Sequence, residues 1–485
     1  MKLFLPSDPR PLHFVGIAGA GMSALAMLAL HRGVAVTGSD REAEGAPDLP
    51  GLGARVVSGC DPGLVEGARA VVVSAAIPAD HPEVVRARAL GIPVIPRKQA
   101  VAELVAGATV VAIAGTHGKT TTTAMATEAL AAAGFDPTGL AGGRVPSWGG
   151  NARMGSDRLF VVEADEYDRA FLTLHPTVAV IGSVEPDHLE CYGTVEELER
   201  AFMTFASRAA TVLIGTADAG SERVTRGLRE GGAVPERVWR FGEAAAELRV
   251  ESVRLHPHGS TARLRLPEGG TVGLELRLPG LHNLLNAAAA VGVVAAVGRG
   301  KGGGAGGAGG AEAATAAASA LARFGGVSRR FEVVGTAAGV TVVDDYAHHP
   351  TEVRATLAAA RQAFPGRRLV AVFQPHLYSR TALLGVELGA ALAAADVVVV
   401  TDIYAAREEP LPGVSGQAVA EAVRAARPGG GMEEGGEDSV RFVPDRRSLA
   451  QAVRAWVQPG DVVLTLGAGD ITAVGRELVR RLQGT

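Results

Sequence analysis

Aromatic residues make up only 4% of the 485-residue chain, and cysteine occurs just twice, at Cys60 and Cys191. Two thiols cannot build a disulfide scaffold, which excludes the small, loop-rich folds stapled by such bridges. An excess of charge of either sign is also missing: 47 Lys plus Arg face 51 Asp plus Glu, a formal net charge of -4. That balance offers no electrostatic footprint for a nucleic-acid backbone, so any anionic ligand has to be met locally. The opening MKLFLPSDPR lacks the basic start and apolar core of a signal peptide. The longest apolar runs are broken by Gly, Asp or His before reaching the ~20 residues that span a bilayer. A soluble, cytoplasmic protein without membrane insertion is the expectation. With 47% hydrophobic and 20% charged residues, the chain can pack several cores, and at ~150 residues per domain its length suggests about three.

Short β-like runs alternate with helical stretches from Leu12 to about Ala106: HFVGIAG, a helix from Met22, VAVTGSD, AVVVSAA and PVIP. This is the rhythm of a parallel α/β unit. A second unit opens at TVVAIAGTHGKTTTT and continues through LFVVEADE, TVAVIGSVEPDH and TVLIGT. Over 238–278 the apolar residues alternate, which predicts an antiparallel sheet with one solvated face, and PGLHNLLNAAAAVGVVAAVG then reads as a helix. The Gly/Ala-rich tract near 298–320 reads as a surface loop running into a helix, and 428–439 as another surface loop. A third α/β unit starts near Arg329. Polar clusters follow the apolar strands directly: THGKT, EADEYD, EPDH, DDYAHHP, QPH and DIYAARE. Open parallel sheets bind ligands at those strand ends, so three such edges are expected to face one shared cleft.

Gly115, Thr116, His117, Gly118, Lys119 and Thr120 follow an apolar strand and precede a helical run beginning at Thr121. Backbone N–H groups at a helix start can surround a phosphate, with Lys119 as a point charge and the Thr120 hydroxyl suited to Mg²⁺. Ile113 stands where the first glycine of the usual loop would be, so the loop is a shortened one. Mg²⁺ takes oxygen ligands, commonly one or two carboxylates besides substrate phosphates. Glu163 is the leading candidate, and His188 either completes a second metal site or orients a ligand. Asp165, Glu166 and Asp168 read as a solvated or capping acidic turn. Near the N-terminus, Gly16, Gly19 and Gly21 form a second glycine turn before the helix at Met22, spaced Gly-x-x-Gly-x-Gly and not as the dinucleotide fingerprint. A pyrophosphate can rest on that helix start, with Ser39 and Asp40 near a ribose or base; tight strand-to-helix packing is the alternative, and a dinucleotide stays open.

Taken in order, GIAGAGMSA, TGSD, GTHGKTTTT, EADEYD, EPDHLECYG, HNLLNA, GVSRRFE, DDYAHHPTEV, FQPHLYSRT and DIYAAREEPLPGVSG resemble the Mur ligase family over nearly the whole chain. The resemblance implies three α/β domains: a Rossmann-like UDP-sugar-binding domain (1–107), a P-loop ATPase-like ATP-binding domain with an added antiparallel sheet (108–327), and a Rossmann-like amino-acid-binding domain (328–485). It implies an ATP- and Mg²⁺-dependent amide ligase that joins L-alanine to the lactoyl carboxylate of UDP-N-acetylmuramate through an acyl phosphate, in peptidoglycan synthesis.

Carried onto matching positions, the family roles put Gly16, Gly19, Gly21, Met22, Ser23, Ser39, Asp40 and Ser74 at the UDP-sugar. Gly115 to Thr121, His282, Asn283, Asn286, Arg330 and Asp345 go to ATP. Thr120, Glu163 and His188 go to metal, and Tyr346, His348 and Arg380 to the amino acid. Lys119, Glu163, His188 and Arg330 are the implied catalytic set. Asn286 is also open to a local role in the helix start, Arg329 reads as a solvated neighbour, and His349 and His376 stay open between ligand contact and buried, satisfied rings. Ala18, Ala24, Gly182-Ser183 and Tyr167 depart from the family pattern. The alternatives are a ligase accepting a preformed tripeptide, a folate polyglutamate ligase, an NAD-dependent oxidoreductase and a regulatory ATP-binding protein. Oligomeric state is not readable from the sequence.

Overall fold

A computed structural model describes residues 3–231, 235–299, 308–427 and 439–484. Much of the Gly/Ala-rich tract and nearly all of the expected loop at 428–439 lie outside the described residues. The part of the first tract that is described forms the helix Ala308–Leu321. Among the described residues there are three sheets, of five, ten and six strands. The chain divides into two compact units, one built from residues 1–252, 262–275 and 284–325, the other from 253–261, 276–283 and 326–485.

In the first unit a five-stranded parallel sheet runs in the order Arg55–Ser58, Val36–Asp40, Leu12–Val15, Ala70–Val73, Val94–Pro96. The order reverses around Leu12–Val15, which opens the crevice that such sheets use for ligands at the strand's carboxyl end. The parallel strands of the second sheet include Thr211–Gly215, Val178–Ile181, Thr109–Ala114, Ser156–Glu163 and Pro137–Val145. Runs such as VAVI are buried at every position, the pattern of strands covered on both faces. The alternating strands expected over 238–278 are present: Thr271–Leu276 alternates exposed and buried residues without a break. They extend the ten-stranded sheet and do not form one of their own, because Phe241↔Leu248 pairs them in parallel with its edge.

One apolar cluster joins both sheets of this unit, running from Phe14 and Leu25 through Met27 to Leu140, Phe160 and Phe205. The helix Leu281–Arg299 is long and apolar enough to cross a membrane by length and composition, which the interrupted apolar runs were not expected to allow. Its most apolar window is 67% buried within the protein, as in a core helix. Gly292 is needed there, since a Cβ would lie 2.6 Å from side-chain carbons of Leu213 and Leu248.

The second unit carries a six-stranded sheet in the order Glu332–Ala337, Val340–Asp345, Val462–Leu466, Leu369–Phe373, Val397–Val400, Val440–Phe442. All but the first edge strand run parallel. Separate apolar clusters cover its two faces. Side-chain caps fix where its helices start: Ser415 accepts from the Ala418 N–H and Asp445 from the Arg447 N–H.

Candidate active site

The strand Thr109–Ala114 delivers the chain into a turn that only glycine can make at two points. Gly115 has φ +120, and a Cβ there would lie 2.7 Å from the Gly182 nitrogen. Gly118 has φ +77, and a Cβ would lie 2.7 Å from Asn286 Oδ1. The helix Lys119–Ala132 then starts at once, with its first N–H groups bare of any side-chain cap. Such a start is an anion site by construction.

Lys119 Nζ donates to both carboxylate oxygens of Glu166 at 2.8 Å and to the Gly115 carbonyl at 2.8 Å. Burial works against its charge, yet the carboxylates of Glu166, Asp165 and Glu163 outweigh it and hold the ammonium above the ordinary lysine range. Beside it Glu163 accepts from the Thr120 hydroxyl at 3.1 Å and from the Gly142 N–H at 2.5 Å. Burial pushes the Glu163 and Glu166 carboxyls up, against the pull of Lys119. The Thr120 hydroxyl and the Glu163 carboxylate are hard oxygen donors in contact, the donor set that fits Mg²⁺. His188 is engaged nearer its own turn: its Nδ1 lies 3.3 Å from Glu190 Oε1 and its ring meets Tyr167 edge-on at 5.1 Å. Among the described residues it joins no three-ligand cluster with Glu163. His117 Nε2 lies 3.1 Å from Glu185 Oε2, and its N–H donates to Ser183 Oγ at 3.2 Å, so Ser183 makes its own contact with the loop.

The first glycine turn has no lysine. Gly16 takes φ +82, and the helix Ala20–His31 opens with its N-terminal groups likewise uncapped by a side chain. Arg97, first residue of the helix Arg97–Leu104, lies across this opening: a Cβ on Gly21 would sit 2.5 Å from its Nη1. Its other terminal nitrogen lies 3.4 Å from Asp165 Oδ2. Asn151 Nδ2 donates to the Ala20 carbonyl and to Ser23 Oγ, both at 3.0 Å. Asp40 accepts from the Ala18 N–H at 3.0 Å, while the buried Ser39 hydroxyl donates to Glu83 at 2.5 Å. Ser74 follows the strand Ala70–Val73, packed 3.4 Å from where a Gly16 Cβ would be.

In the second unit the ends of the strands Val340–Asp345, Leu369–Phe373 and Val397–Val400 gather charge and rings. Asp345 is buried and accepts from the N–H groups of Phe331 at 2.7 Å and Ala347 at 2.8 Å. Burial pushes its carboxyl up to about 6, although Arg330 pulls the other way. Arg330 lies 5.0 Å over the Tyr346 ring and 3.6 Å from Glu352 Oε1. Glu352 also lies 3.2 Å from His348 Nδ1. His282 is desolvated and faces Arg330, which together push its imidazole down to about 4. Arg380 Nη1 lies 3.1 Å from His376 Nδ1, and the His376 ring stacks on Tyr404 at 5.7 Å.

Three domain families match in register with the three sheets. The Mur ligase family catalytic domain covers residues 11–109, the Mur ligase middle domain 113–294, and the Mur ligase glutamate ligase domain 329–469. The chain is 44% identical to the UDP-N-acetylmuramate–L-alanine ligase of Anaeromyxobacter sp. (strain Fw109-5) over 485 residues, all of both chains. This chain belongs to the Mur ligase family. The corresponding ligase of Cutibacterium acnes is 44% identical over 490 residues, covering 100% of this chain and 98% of the relative. The crystal structure of the Thermotoga maritima UDP-N-acetylmuramate-alanine ligase superposes with a TM-score of 0.79 at 28% identity, covering 98% and 99% of the two chains.

For this Mur ligase, sequence reasoning missed several side chains that the fold brings in. Glu166, read as part of a solvated or capping turn, is 2% exposed and is the partner of Lys119. Asp168 does sit at the surface, paired with Lys98 at 2.8 Å. Arg329 is half-buried and engaged: it donates to the Gly467 carbonyl at 2.8 Å, and its Nε lies 3.3 Å from Asp344. The local bond considered for Asn286 is made by Asn283, whose Nδ2 donates to the Pro279 carbonyl at 2.7 Å. Asn286 instead accepts from the Thr122 hydroxyl at 3.1 Å, bracing the phosphate-loop helix. His349 is a buried cap that accepts from the Thr351 N–H at 3.3 Å. The signal for Arg97 and Tyr404 was placement just after the β-runs PVIP and VVVV; nothing in the sequence marks Glu352 apart from other helix-start acids.

Proposed function

We propose that this Mur ligase joins L-alanine to the lactoyl carboxylate of UDP-N-acetylmuramate, consuming ATP and releasing UDP-N-acetylmuramoyl-L-alanine, ADP and phosphate. The observation that carries the reading is 44% identity with alanine-adding ligases along the whole chain. The same substrates, a nucleotide-activated sugar acid and ATP, belong to the cytoplasm. The functional division proposed is 1–107 for the UDP-sugar, 108–327 for ATP and 328–485 for the amino acid.

A carboxylate is a poor electrophile, so the acid has to be activated. Its oxygen attacks the γ-phosphorus, the bond to ADP breaks, and an acyl phosphate results. The alanine amine then attacks the acyl carbon, phosphate leaves with the bonding pair, and the amine gives up a proton. The chain's part is positioning and charge neutralisation. Gly115 to Thr121 cradle the phosphates by backbone N–H groups, and Lys119 exchanges Glu166 for phosphate oxygens. Thr120 and Glu163 are the residues that would hold Mg²⁺, with His188 assigned to a second metal site or to orienting a ligand; the ion would screen the phosphate oxygens. Asn286 braces the loop, and His282, being neutral, can accept a hydrogen bond. Arg330 is assigned to the charge that develops on the transferring phosphate, and Asp345 to the ribose. Tyr346, His348 and Arg380 are assigned to the amino acid, Arg380 pairing with its carboxylate. Gly16, Gly19, Gly21, Met22, Ser23, Ser39, Asp40 and Ser74 are assigned to the UDP-sugar.

The test mixes the protein with ATP, Mg²⁺, UDP-N-acetylmuramate and L-alanine, L-serine, glycine or a preformed tripeptide, and reads product mass and phosphate. The expected result is an L-alanine adduct with one phosphate per product. Turnover with the tripeptide alone would replace this reading with that of a recycling ligase.

A further inference from the structure

At the carboxyl edge of the first sheet three side chains of different chemistry converge. Cys60 follows the strand Arg55–Ser58 and is exposed. His81 stands immediately before the helix Pro82–Ala89 without a side-chain capping bond, and Glu83 lies in its first turn with no exposure at all. A thiol sulfur, an imidazole nitrogen and a carboxylate oxygen from these residues all lie within 4.8 Å of one another. The closest known separation is 3.9 Å, between His81 Nδ1 and Glu83 Oε2. Four-coordinate zinc bonded to S, N and O at its usual lengths needs ligand atoms about 3.4–3.6 Å apart. Small side-chain rotations close that difference.

A further observation points to a missing bonding partner. The Nδ1 atom of His81 is buried without a hydrogen bond, while the fully buried His13 faces Glu83 Oε2 from 3.6 Å and helps to hold the carboxylate. Around the carboxylate, the supports that a metal-ligating group needs are already built. The Ser39 hydroxyl donates at 2.5 Å, the Asp61 N–H donates at 2.8 Å, and His13 is itself held through Nδ1 by Thr37 at 2.9 Å.

We propose that Cys60, His81 and Glu83 form a binding site for a zinc-class divalent cation, completed by a water molecule. The mixed sulfur, nitrogen and oxygen donor set disfavours Mg²⁺, which prefers oxygen alone. Binding replaces the thiol proton of Cys60, released to buffer, with a metal–sulfur bond. The cation ties the 59–61 loop to the start of the helix Pro82–Ala89. It acts as a clamp on the sheet edge that carries Ser39 and Asp40.

The experiment titrates the full-length protein, freed of metal, with Co²⁺ in the absence of ATP. Expected at one equivalent are thiolate-to-cobalt charge transfer in the near ultraviolet and the intense visible bands of four-coordinate cobalt. Cys60→Ser is expected to abolish the charge transfer, and His81→Asn to weaken Co²⁺ binding at least about tenfold. Zn²⁺ should raise the melting temperature of the wild type and not of Cys60→Ser, which is folded because Cys60 itself is exposed. A wild type that shows only weak six-coordinate bands overturns the proposal. So does charge transfer that survives in Cys60→Ser and disappears in Cys191→Ser.

Discussion

Two glycine turns, one after Leu12–Val15 and one after Thr109–Ala114, present bare helix starts to anions, yet they get their positive charge in different ways. The turn at Gly115 carries its own cation in Lys119, one residue after the last glycine. The turn at Gly16 carries none, and Arg97 is brought to Gly21 from a helix that begins 76 positions further along. The lysine, being built into the loop, has to be neutralised when no phosphate is there, and Glu166 does so with two contacts of 2.8 Å. The arginine is more weakly tethered, 3.4 Å from Asp165. A charge inside a loop is readable and needs a counter-ion; a borrowed charge is neither obvious nor tightly held.

The largest expected effect breaks the loop that owns its charge. Lys119→Ala should lower the rate of phosphate release by about a thousandfold or more, as removal of a group facing transferring charge does, while UDP-sugar affinity measured by calorimetry stays within about twofold. Wild-type turnover would remove Lys119 from the phosphate role.

Next comes the buried pair itself. Lys119→Met leaves the Glu166 carboxylate buried without its partner and should cost about 3–5 kcal/mol in denaturant unfolding. Adding Glu166→Met should recover part of that, since only the weaker pull on Glu163 is then left unanswered. Failure of the double variant to recover would mean that the two side chains are not energetically coupled.

Arg97→Ala tests the borrowed charge. It should weaken UDP-N-acetylmuramate binding by about tenfold to a hundredfold, the worth of a charge-assisted contact, and leave ATP affinity unchanged. Equal losses for both ligands would erase the contrast between the turns.

The smallest effect concerns the second unit, where two desolvated groups titrate against each other. Asp345 has its carboxyl raised to about 6 from 3.8, so between those values the folded form holds a proton that the unfolded form has lost, and stability falls as pH rises. His282 is lowered to about 4 from 6.5, so over that window the unfolded form holds the extra proton, and stability rises with pH. The slopes cancel between about pH 4 and 6. His282→Gln should unmask a loss of about 1.4 kcal/mol per pH unit across that window, and Asp345→Asn a gain of the same size, both read from urea midpoints.

The parallel sheets were legible because fully buried strands read as unbroken apolar runs, and the two turns because each lies between such a run and a helix. The alternating strands over 238–278 were legible too, but not that they continue an existing sheet, since strand pairing leaves no local mark. Lys119, Thr120 and Glu163 were singled out from their position at strand ends, and the fold brings them together. Glu166 was misread because an acidic turn looks the same in sequence whether it faces water or a buried ammonium.

The sequence alone determined the α/β alternation, the glycines at Gly16, Gly115 and Gly118 and the lysine beside the last of them, because those depend on a few neighbouring residues and the backbone angles they permit. Tertiary structure decided which distant partner each group meets: Glu166 for Lys119, Arg97 for the turn at Gly21, Glu352 for Arg330, and Glu83 for Ser39 and His13. Those pairings arise from strands set side by side, so that loops far apart in the chain end at one edge. No spacing rule along the chain encodes which of them will meet.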